Sequence, residues 1–273
     1  MKKLKKGLLL MLAVFSVVSC KKYLGEKADK SLVVPATLSD LQALLDDAYY
    51  MNLVKTSSMP ESSADDYFLT MDNYNNNDDN SRATYNWTLK EYFYSNDWSD
   101  AYVPVYNANV CLETIAGIPR TNANNAAWDN VKGSALFYRS YYYLNLVWEF
   151  AIAYDKNTAA SDRGIVMRTG TDFNVKSFRS SVADSYTKII NDTRDAVEWL
   201  PDQPLNVLRP SKAAAYGLLT RAFLSMREYD SAYKYSNLFL QTRNVLLNYN
   251  TINVNAAVPF QDLIILKLFF IPK

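Results

Sequence analysis

The residues with the most obvious chemical capacity fall in one polar stretch, residues 56–97. It contains Asp65, Asp66, Tyr67, Tyr74, Asn77, Asp78, Tyr85, Asn86 and Trp87. Carboxylates and amides exchange hydrogen bonds with hydroxyl groups, and flat aromatic faces cover the apolar face of a pyranose. That composition suits saccharide contact, and Asp65, Asp66, Tyr67, Tyr85 and Trp87 are the candidate contacts. A plainer reading has Trp87 anchoring the loop and Asp65-Asp66 as solvated turn residues. The Asn/Asp run at 72–80 lacks the alternating oxygen ligands, central Gly and distal Glu of an EF-hand loop, so no metal site is assigned.

Composition removes many other chemistries. The 273-residue chain has no His, which excludes Ser-His-Asp and Cys-His catalysis, His-based metal sites and imidazole switching. Seven Gly argue against Gly-rich phosphate loops and against sandwiches or barrels. A carboxylate-pair glycosidase needs no His, but no spacing selects a pair; the chain reads as a non-enzyme without a cofactor. With 49% apolar residues it can bury a core, and a net charge of +1 gives no reason to expect nucleic acid.

The second chemical feature is Cys20. Lys2, Lys3, Lys5 and Lys6 precede an apolar run from Leu8 to Val18, too short for a bilayer span of ~20 residues. Residues 1–19 resemble a bacterial lipoprotein signal whose lipobox is Val17-Val18-Ser19-Cys20, departing from the usual pattern at Val17 and Val18. Acyl chains on Cys20 would hold a soluble body to a membrane. An ordinary signal peptide cut near Cys20, or an uncleaved anchor, is the alternative. Removing the four leader lysines leaves 25 basic against 28 acidic side chains, a net −3. Only Cys111 then remains, so no internal disulfide forms; it reads as a small core residue.

The positioning elements are helices. Residues 21–35 read as a polar tether, and a helix capped near Thr37 runs out near Met51. Residues 56–97 have no sustained period, as in a functional loop or a disordered insertion. Trp98, Tyr102, Val105, Asn109, Leu112 and Ala116 then mark a helix ended by Gly117-Ile118-Pro119, with Trp98 in the core and Asn109 bonding buried backbone. In the next helix Trp128, Val131, Ala135, Tyr138, Tyr142, Leu146 and Phe150 form one stripe. A second runs through Leu136, Phe137, Leu144, Val147 and Trp148. Two apolar sides demand neighbours on both, as in a layered array. Arg139 in that helix is expected to meet aromatic or carboxylate partners. Residues 155–178, with Arg163-Gly164-Ile165-Val166, read as a connection.

A further helix begins at Ser181, where Ser181 and Asp184 approximate a capping box. Val182, Tyr186, Ile189, Thr193, Ala196 and Leu200 form its face, and Pro201 stops it. Pro210-Ser211 opens a helix–turn–helix over 212–226 and 229–241. It resembles a tetratricopeptide repeat, with Leu219 and Phe223 apolar, Tyr229 at the turn, Ala232 at the small position and Thr220 where Gly is usual. The fold class is all-α: a tetratricopeptide-like scaffold with a long polar insertion. An irregular helical bundle is the alternative.

Together, four stretches resemble the SusD/RagB family of outer-membrane lipoproteins. The first joins CKKYL at Cys20 to SLVVPATLSDLQALLDD; the next two are WSDAYVPVYNANVCLETI and KGSALFYRSYYYLNLVWEFA. The fourth combines DRGIVM, SVADSYTKIINDTRDAVEWLP and RPSKAAAYGLLTRAFLSMREYDSAYKYS. The resemblance implies a helical domain over 20–250 and a cell-surface binding protein for glycans or other nutrients, often oligosaccharides. It also implies a TonB-dependent (SusC-like) transporter as partner and an outer-membrane location through the lipid anchor, facing the exterior. An envelope helical-repeat adaptor that binds protein alone is the competing reading. The family's usual C-terminal half is expected to be lost here. Residues 251–273 end in an almost wholly apolar run, expected to be a truncated or frame-shifted start of that half.

Overall fold

The computed structural model describes residues 34–89, 91, 95–206, 208–242, 244 and 248–256, and the elements below belong to the unit beginning at Ala36. The leader 1–19, Cys20 and the tail beyond Ala256 lie outside the described residues.

Helix α1 (Leu38–Leu45) starts where its cap residues require. The Asp40 N–H donates to the Thr37 hydroxyl at 3.2 Å, and the Thr37 N–H donates to the Asp40 carboxylate at 3.0 Å. The helix ends at Asp46, short of Met51. There Arg209 grips the Asp46 carboxylate with two nitrogens at 2.8 and 2.5 Å, fixing the chain before one π-helical turn at Tyr49–Leu53.

The described residues of the polar stretch 56–97 carry regular structure. It holds three short helices, α2 (Met59–Ser62), α3 (Met71–Asn76) and α4 (Asp79–Tyr85). Each is about two turns or less, too short to show a repeating apolar face. Two of the three have side-chain caps: Thr70 caps α3, and Asp78 caps α4 by accepting the Asn80 and Ser81 N–H groups at 3.0 Å.

The scaffold follows. α5 (Asp97–Ala116) is capped by Asn96 and buries Ala101, Val105, Ala108, Asn109, Cys111 and Ile115. The predicted stripe is therefore rotated: Leu112 is only half-buried and Ala116 is exposed. Small residues let α5 approach the next helix closely, while the bulkier Trp98 and Tyr102 sit at the margin of that contact, half-buried. α6 (Asn125–Phe150) buries both expected stripes apart from its ends; Trp148 reaches the surface, where the Arg221 guanidinium lies 4.6 Å from its ring centre. It packs against α1, α5, α7 and α8.

The 155–178 connection contributes a strand. β1 (Arg163–Val166) pairs antiparallel with β2 (Arg179–Ser181), Arg163 opposite Ser181. Gly164 permits this, since a Cβ there would lie 2.4 Å from the Ser181 carbonyl oxygen and 2.3 Å from Ser185 Oγ. α7 (Val182–Trp199) buries all six predicted face residues. Its capping box is half made: the Asp184 N–H donates to Ser181 Oγ, whereas the Asp184 carboxylate takes the Ser181 hydroxyl rather than its N–H. α8 (Lys212–Ser225) and α9 (Tyr229–Thr242) form the expected hairpin. Leu219, Phe223 and Ala232 are buried and Tyr229 is exposed at the turn; the Phe223 and Tyr235 rings stack 5.6 Å apart.

One buried polar network ties three helices and the 155–178 connection. Arg139 on α6 donates to Asp192 on α7 at 2.8 Å and to Asn109 Oδ1 on α5 at 2.9 Å. Asn109 in turn donates to the Arg168 carbonyl at 2.6 Å. Both sequence readings, of Asn109 on backbone and of Arg139 on a carboxylate, hold. Cys111 is fully buried and desolvation pushes its thiol up to about 12, so it is an unreactive core residue.

Candidate functional site

The short helices α2–α4 make a lobe beside the N-terminus of α5. Asp97, the first residue of α5, accepts the Ser58 and Met59 N–H groups at 2.6 and 2.7 Å and the Ser58 hydroxyl at 3.2 Å. One turn on, Asp100 accepts Lys55 Nζ at 2.7 Å and the Ser95 hydroxyl at 2.5 Å. Two first-turn acids thus complement the positive end of α5 and pin both ends of the lobe to the scaffold.

Within the lobe, aromatic side chains are held by their polar ends. The Tyr67 hydroxyl donates to the Ser62 carbonyl at 2.8 Å, and the Leu69 N–H donates to Tyr85 Oη at 3.2 Å. Tyr85 stands between Tyr67 and Tyr74, with ring centres 5.9 and 6.1 Å away. Asn86 donates to Tyr74 Oη at 2.6 Å. Trp87 follows α4 in the left-handed backbone region, at φ 58°, a conformation that costs a non-Gly residue about 1–2 kcal/mol. Its indole N–H donates to the Ser63 carbonyl at 2.9 Å, yet the side chain is 77% exposed. The tryptophan is therefore both loop anchor and open plate: one edge is fixed while a broad apolar face meets solvent.

Asp66 and Tyr67 line an open cleft of about 490 Å3 together with Glu61 and Ser62. The structure thus joins Asp66 and Tyr67 directly, with Tyr85 behind Tyr67 and Trp87 bound to the neighbouring Ser63. Asp65 is exposed and lines no part of that cleft. Glu61 and Ser62 were not among the sequence candidates; their signal was only that they lie one short helix upstream of Asp66. Asn77 and Asp78 serve the helix ends instead: Asn77 donates to the Asn73 carbonyl, and hydrogen bonds from Ser81 hold the Asp78 carboxyl below its ordinary value.

Behind the lobe lies a smaller polar cavity of about 200 Å3, lined in part by Asp97 and Glu149. Desolvation pushes the Glu149 carboxyl up to about 8; the nearby Ser57 hydroxyl opposes this and the Asp97 charge reinforces it. Asp97 in this cavity is already engaged by the Ser58 and Met59 N–H groups. Among the described residues no cluster of three or more His, Cys, Asp or Glu could hold a metal ion.

A tetratricopeptide-like stack of paired helices carrying a polar, aromatic lobe at one helix N-terminus defines the class: a helical-repeat scaffold with a candidate surface site. Residues 22–224 match the SusD-like family described as "Starch-binding associating with outer membrane". The chain belongs to that family. Among curated proteins, none matches.

Similar solved structures include a SusD superfamily protein from Bacteroides thetaiotaomicron, with 22% identity and a TM-score of 0.66 over 78% of this chain and 49% of that one. A SusD-like carbohydrate-binding protein from Bacteroides vulgatus has 22% identity and a TM-score of 0.63, over 78% and 46%. A laminarin-binding SusD-like protein has 20% identity and a TM-score of 0.61, over 78% and 47%. At these identities the likeness shows the shared fold, and the chain spans about half the length of the structures it matches.

Proposed function

We propose that this protein is a non-catalytic glycan-binding lipoprotein of the outer membrane, anchored through Cys20, facing the exterior and working with a TonB-dependent transporter. The observation that carries the reading is Trp87: an indole fixed at its N–H and backbone, offering its face beside a cleft with the Asp66 carboxylate and Tyr67. An aromatic plate that need not be ordered on binding, next to a hydrogen-bonding carboxylate, suits a sugar ring with its hydroxyls. The family description and the laminarin-binding relative support the same ligand class. In this reading Asp66, Tyr67, Tyr85 and Trp87 carry the contact, with Asp65 at its rim. The scaffold helices stand available to the transporter.

Calorimetry of the mature protein with maltohexaose and with laminarihexaose, alongside a reducing-end assay, tests this. Saturable heat without new reducing ends is the expected result. New reducing ends would make the protein an enzyme. No heat with either oligosaccharide, but heat with the purified transporter, would make it the protein-binding adaptor. Palmitate labelling that disappears in Cys20→Ala tests the anchor.

A further inference from the structure

Glu149, the second-last residue of α6, lines the cavity of about 200 Å3 behind the lobe. Both of its carboxyl oxygens are buried without a well-formed hydrogen bond, and the neighbouring Ser57 hydroxyl is buried and equally unpaired. Asp97 of α5 and Glu91 line the same cavity, and its described lining includes no Lys or Arg. A buried carboxyl in this setting has acidic neighbours and no counter-ion.

The charged groups of the surrounding elements are engaged elsewhere. Lys55 pairs with Asp100 at 2.7 Å, and Arg82 of α4 serves Asp79 and the Asn75 and Asn77 carbonyls. Arg179 of β2 donates to the Phe150 and Gly164 carbonyls, both at 2.6 Å, and Arg221 of α8 lies over the Trp148 ring. Glu61 of α2 lines the open cleft instead. Glu149 also stands at the C-terminal end of α6, where the helix dipole disfavours an anion and the last turn holds no basic residue. Protonated, its carboxyl can donate to the Asp97 carboxylate; ionised, it adds a like charge beside it.

The walls of this cavity are held with unequal firmness. α5 and α6 are fixed by their buried faces, whereas the facing wall comes from α2 and α4 of the lobe, which depends on hydrogen bonds. Asp97, next to Glu149, fastens that wall by accepting the Ser58 and Met59 N–H groups. A charge formed in the closed cavity is relieved by water, and the lobe is the wall that yields at least cost.

We propose that Glu149 and Asp97 form a proton-controlled latch that holds the lobe to the scaffold. With the Glu149 proton in place, Asp97 keeps α2 on the start of α5 and the cavity is closed. Loss of that proton to solvent sets a second negative charge beside Asp97, weakens its hold on Ser58 and Met59, and opens the lobe while α5–α9 stay folded. Opening returns Glu149 to water and to its ordinary value of 4.5, against about 8 in the closed state. Opening therefore releases a proton and is favoured increasingly as pH rises from about 4.5 to about 8. The latch does not depend on what the lobe binds.

Amide hydrogen exchange of the mature protein at pH 5, 6.5 and 8, corrected for the intrinsic exchange rate, tests this. The amides read are those of Ser58 and Met59 in the latch and those of the buried middle of α6. In the wild type, protection at Ser58 and Met59 should fall by on the order of ten-fold or more from pH 5 to pH 8. The α6 amides should stay about a hundred-fold or more better protected throughout, as a local opening requires. Glu149→Gln, which keeps a neutral side chain able to donate to Asp97, should hold Ser58 and Met59 near their pH 5 protection at every pH. Asp97→Asn, a second variant, should lower their protection at pH 5 and shrink its pH dependence. Three results would each overturn the latch: protection at Ser58 and Met59 that is level with pH in the wild type, the same pH dependence in Glu149→Gln, or protection no lower than that of α6.

Discussion

The scaffold helices α5–α9 and the lobe α2–α4 are stabilised by opposite means. In the scaffold, long helices bury large side chains on two sides, and α6 alone hides Tyr138, Tyr142, Tyr143, Leu144 and Leu146. Burial at ~25 cal/mol per Å2 of apolar surface makes such contacts the main source of stability. The lobe buries almost nothing: among its described residues from Ser58 to Thr88, only Thr84 is buried. It is held by side chains that satisfy backbone groups, namely Asp97, Thr70, Asp78, Tyr67 and Trp87. A region pinned by hydrogen bonds can present aromatic faces to solvent without a core beneath each of them. The comparison teaches that burial and the display of exposed aromatic and polar side chains are assigned to separate parts of one chain.

Substitutions should separate the two regions. The largest effect is expected at the buried network. Asp192→Ala leaves Arg139, itself only 5% exposed, without its carboxylate, and should cost about 3–5 kcal/mol in urea unfolding. Gly164→Ala comes next, since its Cβ would strike the Ser181 carbonyl; a loss of about 1–3 kcal/mol is expected by the same measurement. Asp97→Ala acts on the lobe. It removes three hydrogen bonds at a partly exposed site, so global stability should fall by only about 1 kcal/mol. Limited proteolysis within 58–96 should nevertheless become much faster.

A separate effect, read along pH, comes from Glu149. Its carboxyl is raised to about 8 in the folded state against an ordinary 4.5, so the native protein holds a proton that the unfolded chain has released. Stability contributed through this group is greatest below about pH 4.5, declines as pH rises to about 8, and is level above that. Glu149→Gln should flatten that slope and raise stability at pH 8 more than at pH 5, read by urea unfolding at the two pH values.

Much of the scaffold was legible because its helices are long. Every face residue predicted for α7 is buried, and the two-sided pattern of α6 announced its central place. The paired helices α8 and α9 followed from Leu219, Phe223 and Ala232. The face of α5 was misjudged because apolar periodicity favours large residues, whereas its buried face includes the small residues Ala101, Ala108 and Cys111. The β1–β2 pair was missed because its strands have four and three residues and depend on Gly164 meeting a distant helix start.

In the lobe, residue types pointed to sugar-like contact, but not to which residues share a cleft. Asp65 and Asp66 are adjacent in sequence, yet only Asp66 lines the cleft with Tyr67. Glu61, which lines the same cleft, had no distinguishing neighbour pattern. The left-handed turn that presents Trp87 could not be read from a residue type that rarely adopts it.

The central claim is that the lobe binds while the scaffold stabilises. The most direct measurement pairs calorimetry with thermal unfolding for Trp87→Ala in the mature protein, using maltohexaose and laminarihexaose. The expected result is loss of the binding heat with a melting temperature within about 2–4 °C of wild type, a change of at most ~1 kcal/mol. Undiminished binding, or binding lost only together with the fold, would contradict it.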